Sequence, residues 1–220
     1  MEELRAREKQ TKKQNPFDPK GLRGTIYMVL HDMVCILAAI TVLFVFVARL
    51  VGVYGSSMYP TLVGAQDSGT VGDYLVLRSN FLSDRYRQGD IVVACVPSFE
   101  EGKPIVKRVV AVGGQTVSFQ ADISGQIHVY VDGELAPEDR INEPMEARGM
   151  GSDGVSLHVP EGCYFLMGDN RNNSTDSRYT DVGMVDGRYI LGKALWLAFP
   201  GQDSRKSNAQ DWSRLGDIYD

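Results

Sequence analysis

The sequence predicts an all-β domain carried behind one apolar helix. Three observations predict it: a long hydrophobic run near the N-terminus, short branched and aromatic segments punctuated by Gly, Asp, Asn and Pro through the rest of the chain, and no helical period of comparable length beyond the run. At 220 residues and 43% hydrophobic, the chain can bury one sizeable core plus appendages.

Residues 1–25 hold seven Lys/Arg against four Asp/Glu and are broken by Pro16 and Pro19, which reads as a basic tail. From Ile26 to Val51 the composition turns apolar, and Met33 to Ala48 carries no charge and one polar residue, Thr41. That length suits a transmembrane anchor over 26–51. His31 and Asp32 are expected near the headgroups, with Arg49 snorkelling at the far end. The basic flank keeps the N-terminus cytoplasmic and exports residues 52–220. A cleaved signal peptide would have a shorter apolar core and a small-x-small site, for which Val53-Tyr54-Gly55 is a poor match.

Residues 52–220 carry 15 Lys/Arg against 23 Asp/Glu, so nucleic acid is not an expected partner. Strand candidates are Tyr74–Leu77, Ile91–Val96, Ile105–Val112, Thr116–Phe119, Ile127–Val131, Val155–Val159, Cys163–Met167 and Tyr189–Ala198. Asp132-Gly133 signals a hairpin. Residues 137–154, with Pro137 and Pro144, read as an inserted loop or small lobe, and the last twenty residues as a polar tail. Cys35 lies in the apolar run, so only Cys95 and Cys163 could pair with each other; with no metal spacing, they read either as such a pair or as two small core residues.

Three stretches carry candidate chemistry. Gly55-Ser56-Ser57-Met58-Tyr59-Pro60-Thr61-Leu62 presents a serine on a segment stiffened by Pro60, and a serine hydroxyl needs a positioned base to become nucleophilic. His128 and His158 lie in alternating strands with no triad pattern around them. Lys107, in Pro104-Ile105-Val106-Lys107-Arg108-Val109-Val110, has Ile105 and Val109 as its neighbours on one face. Burial there depresses an amine pKa, and a neutral lysine can take a proton from serine; the competing reading is a lysine snorkelling from a sheet edge. Gly168-Asp169-Asn170-Arg171-Asn172-Asn173-Ser174-Thr175-Asp176-Ser177-Arg178 mixes acceptors with guanidinium groups, so it suits either a plain surface turn or an internally paired loop.

In that order and spacing, together with Gly89-Asp90-Ile91-Val92 and Gly192-Lys193-Ala194, these stretches resemble bacterial type I signal peptidase, the Ser-Lys protease that removes signal peptides from exported proteins. The resemblance implies an antiparallel, barrel-like catalytic domain with Ser57 as nucleophile and Lys107 as general base. It also implies that Ser174 orients the Lys107 amine, that Asp176 pairs with Arg178 and Asp169 with Arg108, and that Met58 and Tyr59 face the substrate and membrane surface, the competing reading of Met58 being an ordinary buried core methionine. No metal or other cofactor is implied, and the partners are signal-peptide-bearing preproteins and the lipid bilayer of the plasma membrane. Two positions depart from the family pattern. Gly55 stands where some relatives place an oxyanion-stabilising serine, leaving the Ser57 N–H as the main donor; Asn172 stands where Asp is common. Gly55 and the single span resemble the Gram-positive branch. Rival readings are a self-cleaving repressor-type Ser-Lys protease, a catalytically silent membrane-anchored peptide-binding domain, and a relative dedicated to one substrate class such as pilin-like precursors.

Overall fold

The computed structural model describes residues 21–67, 69–80, 85–206 and 209–219. Most of the basic tail therefore lies outside the described residues. The chain divides into two compact units, residues 1–45 and 46–220.

The first unit is helix α1 (Leu22–Val42), which a π-helical turn over Leu43–Val47 continues across the boundary. Twenty-one residues at 1.5 Å each give about 30 Å, enough for a hydrocarbon core. Its large side chains, among them Val29, Leu30, Met33, Ile36, Leu37 and Ile40, are exposed on all sides, as expected of a helix whose partner is lipid. The helix ends earlier than the apolar run does. His31 and Asp32 consequently sit near its middle, 3.4 Å apart, rather than at the headgroup end.

The second unit is mainly β and antiparallel. Residues 48–52, read from hydropathy as the end of the anchor, instead form strand β1 (Ala48–Gly52). It pairs with β2 (Tyr74–Ser79) from Ala48 opposite Arg78 to Gly52 opposite Tyr74. The other strands of the larger sheet are β3 (Ile91–Cys95), β4 (Pro104–Val112), β9 (Cys163–Met167), β10 (Val185–Asp186), β11 (Ile190–Phe199) and β12 (Gly216–Asp217). Their order is β1-β2-β11-β3-β4-β9-β10, with β12 pairing β11. Register shifts within β11 and between Val109 and Ala111 of β4 bend the sheet.

A smaller sheet of β5 (Thr116–Ala121), β6 (Ile127–Val131), β7 (Glu134–Leu135) and β8 (Ser156–His158), in the order β7-β6-β5-β8, is inserted between the neighbouring strands β4 and β9. The Asp132-Gly133 turn closes the β6–β7 hairpin with both residues at positive φ, 52° and 86°, as a two-residue type I′ turn requires.

Burial explains the sequence pattern around the site. Ile91 through Ala94 are all fully buried, because β3 is covered on both faces. Ile91 and Val93 join one core with Met58, Leu62, Leu75, Leu77 and Leu197, while Val92 and Ala94 join another with Val109, Leu166 and Ile190. Each such side chain contributes about 1.5–3 kcal/mol. β4, next to β3, is held between the same layers: Val106 packs on the first core, and Ile105 and Val109 on the second.

Two segments with little sequence signal prove to be packed. Residues 137–154 lie on the 168–178 loop rather than forming a lobe: Asn142 N–H bonds Asp169 O at 3.0 Å, Met150 N–H bonds Arg178 O at 2.7 Å, and Met145 is buried in the small-sheet core. The C-terminal tail also returns to the domain. Ile218 is buried, and the Tyr219 hydroxyl accepts from Ile91 N at 3.0 Å and donates to Ala194 O at 2.7 Å.

Candidate active site

Ser57 sits on a tight turn directly after β1. Tyr59 N–H bonds Ser56 O at 3.1 Å and Leu62 N–H bonds Met58 O at 2.8 Å, while Met58 and Leu62 drive the turn into the core. Met58, expected at the substrate and membrane surface, is therefore a core residue, 1% exposed. An unbranched thioether in a fully covered position acts as an anchor for its neighbour. Tyr59 is half-buried, with the Arg205 guanidinium 4.0 Å above its ring. Gly55 has φ +74° and contributes no side chain.

The strand β4 brings Lys107 to this serine across fifty residues of sequence. Lys107 lies opposite Val92, is 3% exposed, and places Nζ 2.8 Å from Ser57 Oγ. Nζ also donates to Val106 O at 3.1 Å. Loss of hydration on burial lowers the amine pKa to about 8; Asp176 and Asp169 pull it up and Arg178 pushes it down. Neither histidine competes for this place. His128 is 3.0 Å from Glu138 and 3.4 Å from Asp122 on the small sheet, and His158 ends β8.

The loop after β9 supports both groups. Gly168 is obligatory by contact: a Cβ there would lie 2.4 Å from Ser57 O and 2.3 Å from Ser174 Oγ. Asp176 and Arg178 form a fully buried bidentate pair, Oδ1 to Nε and Oδ2 to Nη2, both 2.8 Å. Asp169 grips Arg108 in the same way at 2.8 and 2.6 Å and also accepts from Thr61 Oγ1 at 2.6 Å, tying the loop to β4 and to the serine turn. Both expected ion pairs are thus formed. The expected bond from Ser174 to the Lys107 amine is not: Ser174 Oγ is buried against Gly168 with no hydrogen-bond partner among the described residues. The flanking motifs also meet, Lys193 Nζ lying 2.6 Å from Asp90 Oδ1.

The sequence of residues 26–199 matches the family described as signal peptidase, peptidase S26. The chain belongs to this family. Its relatives include signal peptidase I of Bacillus amyloliquefaciens, 31% identical over 90% of this chain and 99% of that protein. The probable signal peptidase I-1 of Synechocystis is 34% identical over 84% of this chain and 83% of its own length. Signal peptidase I of Pseudomonas aeruginosa is 34% identical over 60% of this chain, and the match spans 56% of that longer protein. Membership makes this peptidase a serine endopeptidase that removes signal peptides, and α1 fits a membrane anchor. No group of three His, Cys, Asp or Glu side chains suited to a metal occurs among the described residues.

Several contributors to the site carried no distinct sequence signal. Asn170 and Asn173 hold Ser56 and Ser57, as detailed below. Arg214 forms a bidentate pair with buried Asp73 at 3.0 and 2.7 Å and donates to Thr61 O at 3.1 Å. Asp73 in turn accepts from Val63 N at 2.8 Å. The serine turn is therefore braced from its far side by the tail. Asn and Asp in a Gly-rich loop hint at such side-chain-to-backbone bonds but not at their partners.

Proposed function

We propose that Ser57 and Lys107 form the catalytic dyad of this signal peptidase and that cleavage proceeds through an acyl-enzyme. The single observation that carries the reading is the 2.8 Å approach of a buried, pKa-lowered amine to a hydroxyl on a braced turn. The preprotein lies as an extended strand beside the site, with small residues at −1 and −3. Neutral Lys107 takes the Ser57 proton as Oγ attacks the scissile carbonyl, and the resulting ammonium delivers it to the leaving amine. Water, deprotonated by the same amine, then hydrolyses the ester. During these steps the ammonium needs a third acceptor beyond Ser57 Oγ and Val106 O. The orphaned Ser174 hydroxyl is the group suited to that role, retaining the orienting part implied for it. The Ser57 N–H, which no acceptor occupies among the described residues, stabilises the oxyanion.

Arg108–Asp169 and Arg178–Asp176 act on this reading as supports that hold strand, turn and loop together. The seven Lys/Arg of residues 1–25 place the N-terminus in the cytoplasm and the peptidase unit outside the plasma membrane, where the anchor raises the local concentration of enzyme at its tethered substrates. Replacing Ser57 or Lys107 by Ala should abolish preprotein cleavage while the domain stays folded. Substantial residual turnover in either variant removes the dyad.

A further inference from the structure

The Ser57 N–H can serve as an oxyanion donor only if its direction is fixed, and the chain before it is held as far as Gly55, whose N–H donates to Ala65 O at 2.9 Å, which leaves the plane of the Ser56–Ser57 peptide to be set by other contacts. Gly55 lies at φ +74° with nothing within 4 Å of where its Cβ would be. The Ser56–Ser57 peptide is trans, the one cis bond among the described residues being Tyr59–Pro60, so the Ser56 carbonyl and the Ser57 N–H point in opposite directions in one rigid plane. Whatever holds the carbonyl therefore aims the N–H. The Ser56 carbonyl accepts from Tyr59 N–H at 3.1 Å within the turn and from Asn170 Nδ2 at 3.1 Å from the loop. Asn170 also donates its own N–H to Ser57 O at 3.0 Å, and Asn173 Nδ2 donates to Ser56 Oγ at 2.7 Å. Three groups of two residues are thus pinned by two asparagines of one loop.

We propose that Asn170 and Asn173 are positioning residues for the oxyanion donor: by clamping Ser56 at its carbonyl and its hydroxyl, they aim the Ser57 N–H at the developing charge. Asparagine suits the task because its amide donates without bringing a charge to the neighbourhood of Lys107. A lysine or arginine in the same place would push the base pKa down further, and a carboxylate would raise it. Asn142 Nδ2, 3.5 Å from Asn170 Oδ1, favours the amide orientation that points Nδ2 at Ser56. Ser56 is the chain's own contribution, since only a residue with a hydroxyl or similar acceptor there can receive the second amide.

This inference rests on the dyad reading, and its test separates the two. Asn170→Ala, Asn173→Ala, Ser56→Ala and the Asn173→Ala/Ser56→Ala double variant are assayed for kcat and KM on a preprotein-derived peptide. Inhibition is measured with a peptide aldehyde, whose hemiacetal with Ser57 places an oxygen where the oxyanion forms. Deleting an oxyanion donor costs about 10²–10³-fold, and a misaimed donor retains part of that, so kcat should fall about tenfold for Asn170→Ala and about threefold for each of the other two. KM should stay within about twofold, aldehyde inhibition should weaken in parallel with kcat, and the pH midpoint of activity should not move. The double variant should match its single parents, because both break one bond. Asn173 and Ser56 are not core residues, so their variants test the clamp even if Asn170→Ala fails to fold. A rise in KM at unchanged kcat, unchanged aldehyde inhibition, or an additive double variant overturns the clamp. Failure of the dyad would show differently, as residual activity in Ser57→Ala and no aldehyde inhibition of the parent enzyme.

Discussion

Two lysines of this domain occupy the same register row and are treated in opposite ways. Lys107 of β4 and Lys193 of β11 both lie opposite Val92 of β3. Lys193 has a carboxylate, Asp90, at 2.6 Å and the Tyr219 ring 4.8 Å below its amine, and its side chain remains 25% exposed. Lys107 has no carboxylate in contact among the described residues; its partners are a hydroxyl and a backbone carbonyl, and it is nearly sealed from solvent. An amine given a carboxylate is a structural cation. An amine given a hydroxyl and shut off from solvent is placed to act as the base of the proposed dyad. Placement in the sheet does not decide between them; the immediate partners do.

The sharpest break of this comparison is to remove each amine while keeping its stem. Lys107→Met should abolish turnover yet make the domain more stable near neutral pH, because burial lowers the amine pKa to about 8, at a cost of about 3 kcal/mol that is complete below about pH 8 and fades as pH rises toward the unfolded value. Thermal or denaturant unfolding should show a gain of about 1–3 kcal/mol once lost contacts are deducted. Lys193→Met should do the reverse, retaining most activity while losing about 1–3 kcal/mol, since Asp90 is left partly buried and unpaired. If the first variant is destabilised as much as the second, Lys107 is an ordinary structural cation.

The pH dependence sharpens the same point. A base must be unprotonated, so kcat/KM should rise about tenfold per pH unit at acidic pH and level off above about pH 8. The stability effect has its own sign. Between about pH 8 and 10.5 the unfolded chain binds the lysine proton and the folded one does not, so this group makes stability increase with pH across that window. Lys107→Met should lose that increment, and an unchanged stability slope in the variant would contradict the depressed pKa.

How much of this was legible in the sequence follows from how local each feature is. Lys107 could be singled out because Ile105, Val106, Val109 and Val110 flank it in sequence and are buried or half-buried in the strand they form, and the pairing of Asp176 with Arg178 needs only two residues of chain. Asp169–Arg108 came from family resemblance, with sixty-one residues between the partners. The surface place for Met58 came from family resemblance; the ordinary reading of a methionine, a buried core residue, is the one the structure shows. The boundary of the anchor was misplaced because Leu50 and Val51 extend the apolar run beyond Arg49, which reads as readily as a snorkelling residue at the end of a span. Only pairing with Tyr74–Ser79 makes residues 48–52 a strand, and that partner lies more than twenty residues away. Arg214, which reaches Asp73 across 141 residues from what reads as a polar tail, left no local trace.

The smallest effect concerns Asn172, in the loop that wraps the site. Asn172 uses both ends of its amide: Oδ1 accepts from Glu146 N at 2.8 Å, and Nδ2 donates to Pro144 O at 2.8 Å. A carboxylate could keep the first bond but would set a negative oxygen against the Pro144 carbonyl, so Asn172→Asp should release that edge of the 137–154 segment. The bond is exposed and local, which sets the cost near 1 kcal/mol. Hydrogen exchange of the Glu146 and Arg148 amides should quicken by about fivefold while global stability changes little. Turnover should fall less than about threefold, because the segment touches the 168–178 loop and neither member of the dyad. Faster exchange confined to 142–151 would assign Asn172 to holding the wrap in place. A large loss of activity with exchange unchanged would instead mean that the charge at this position acts on Lys107 through space, and the contrast between the two lysines would then depend on more than their contacts.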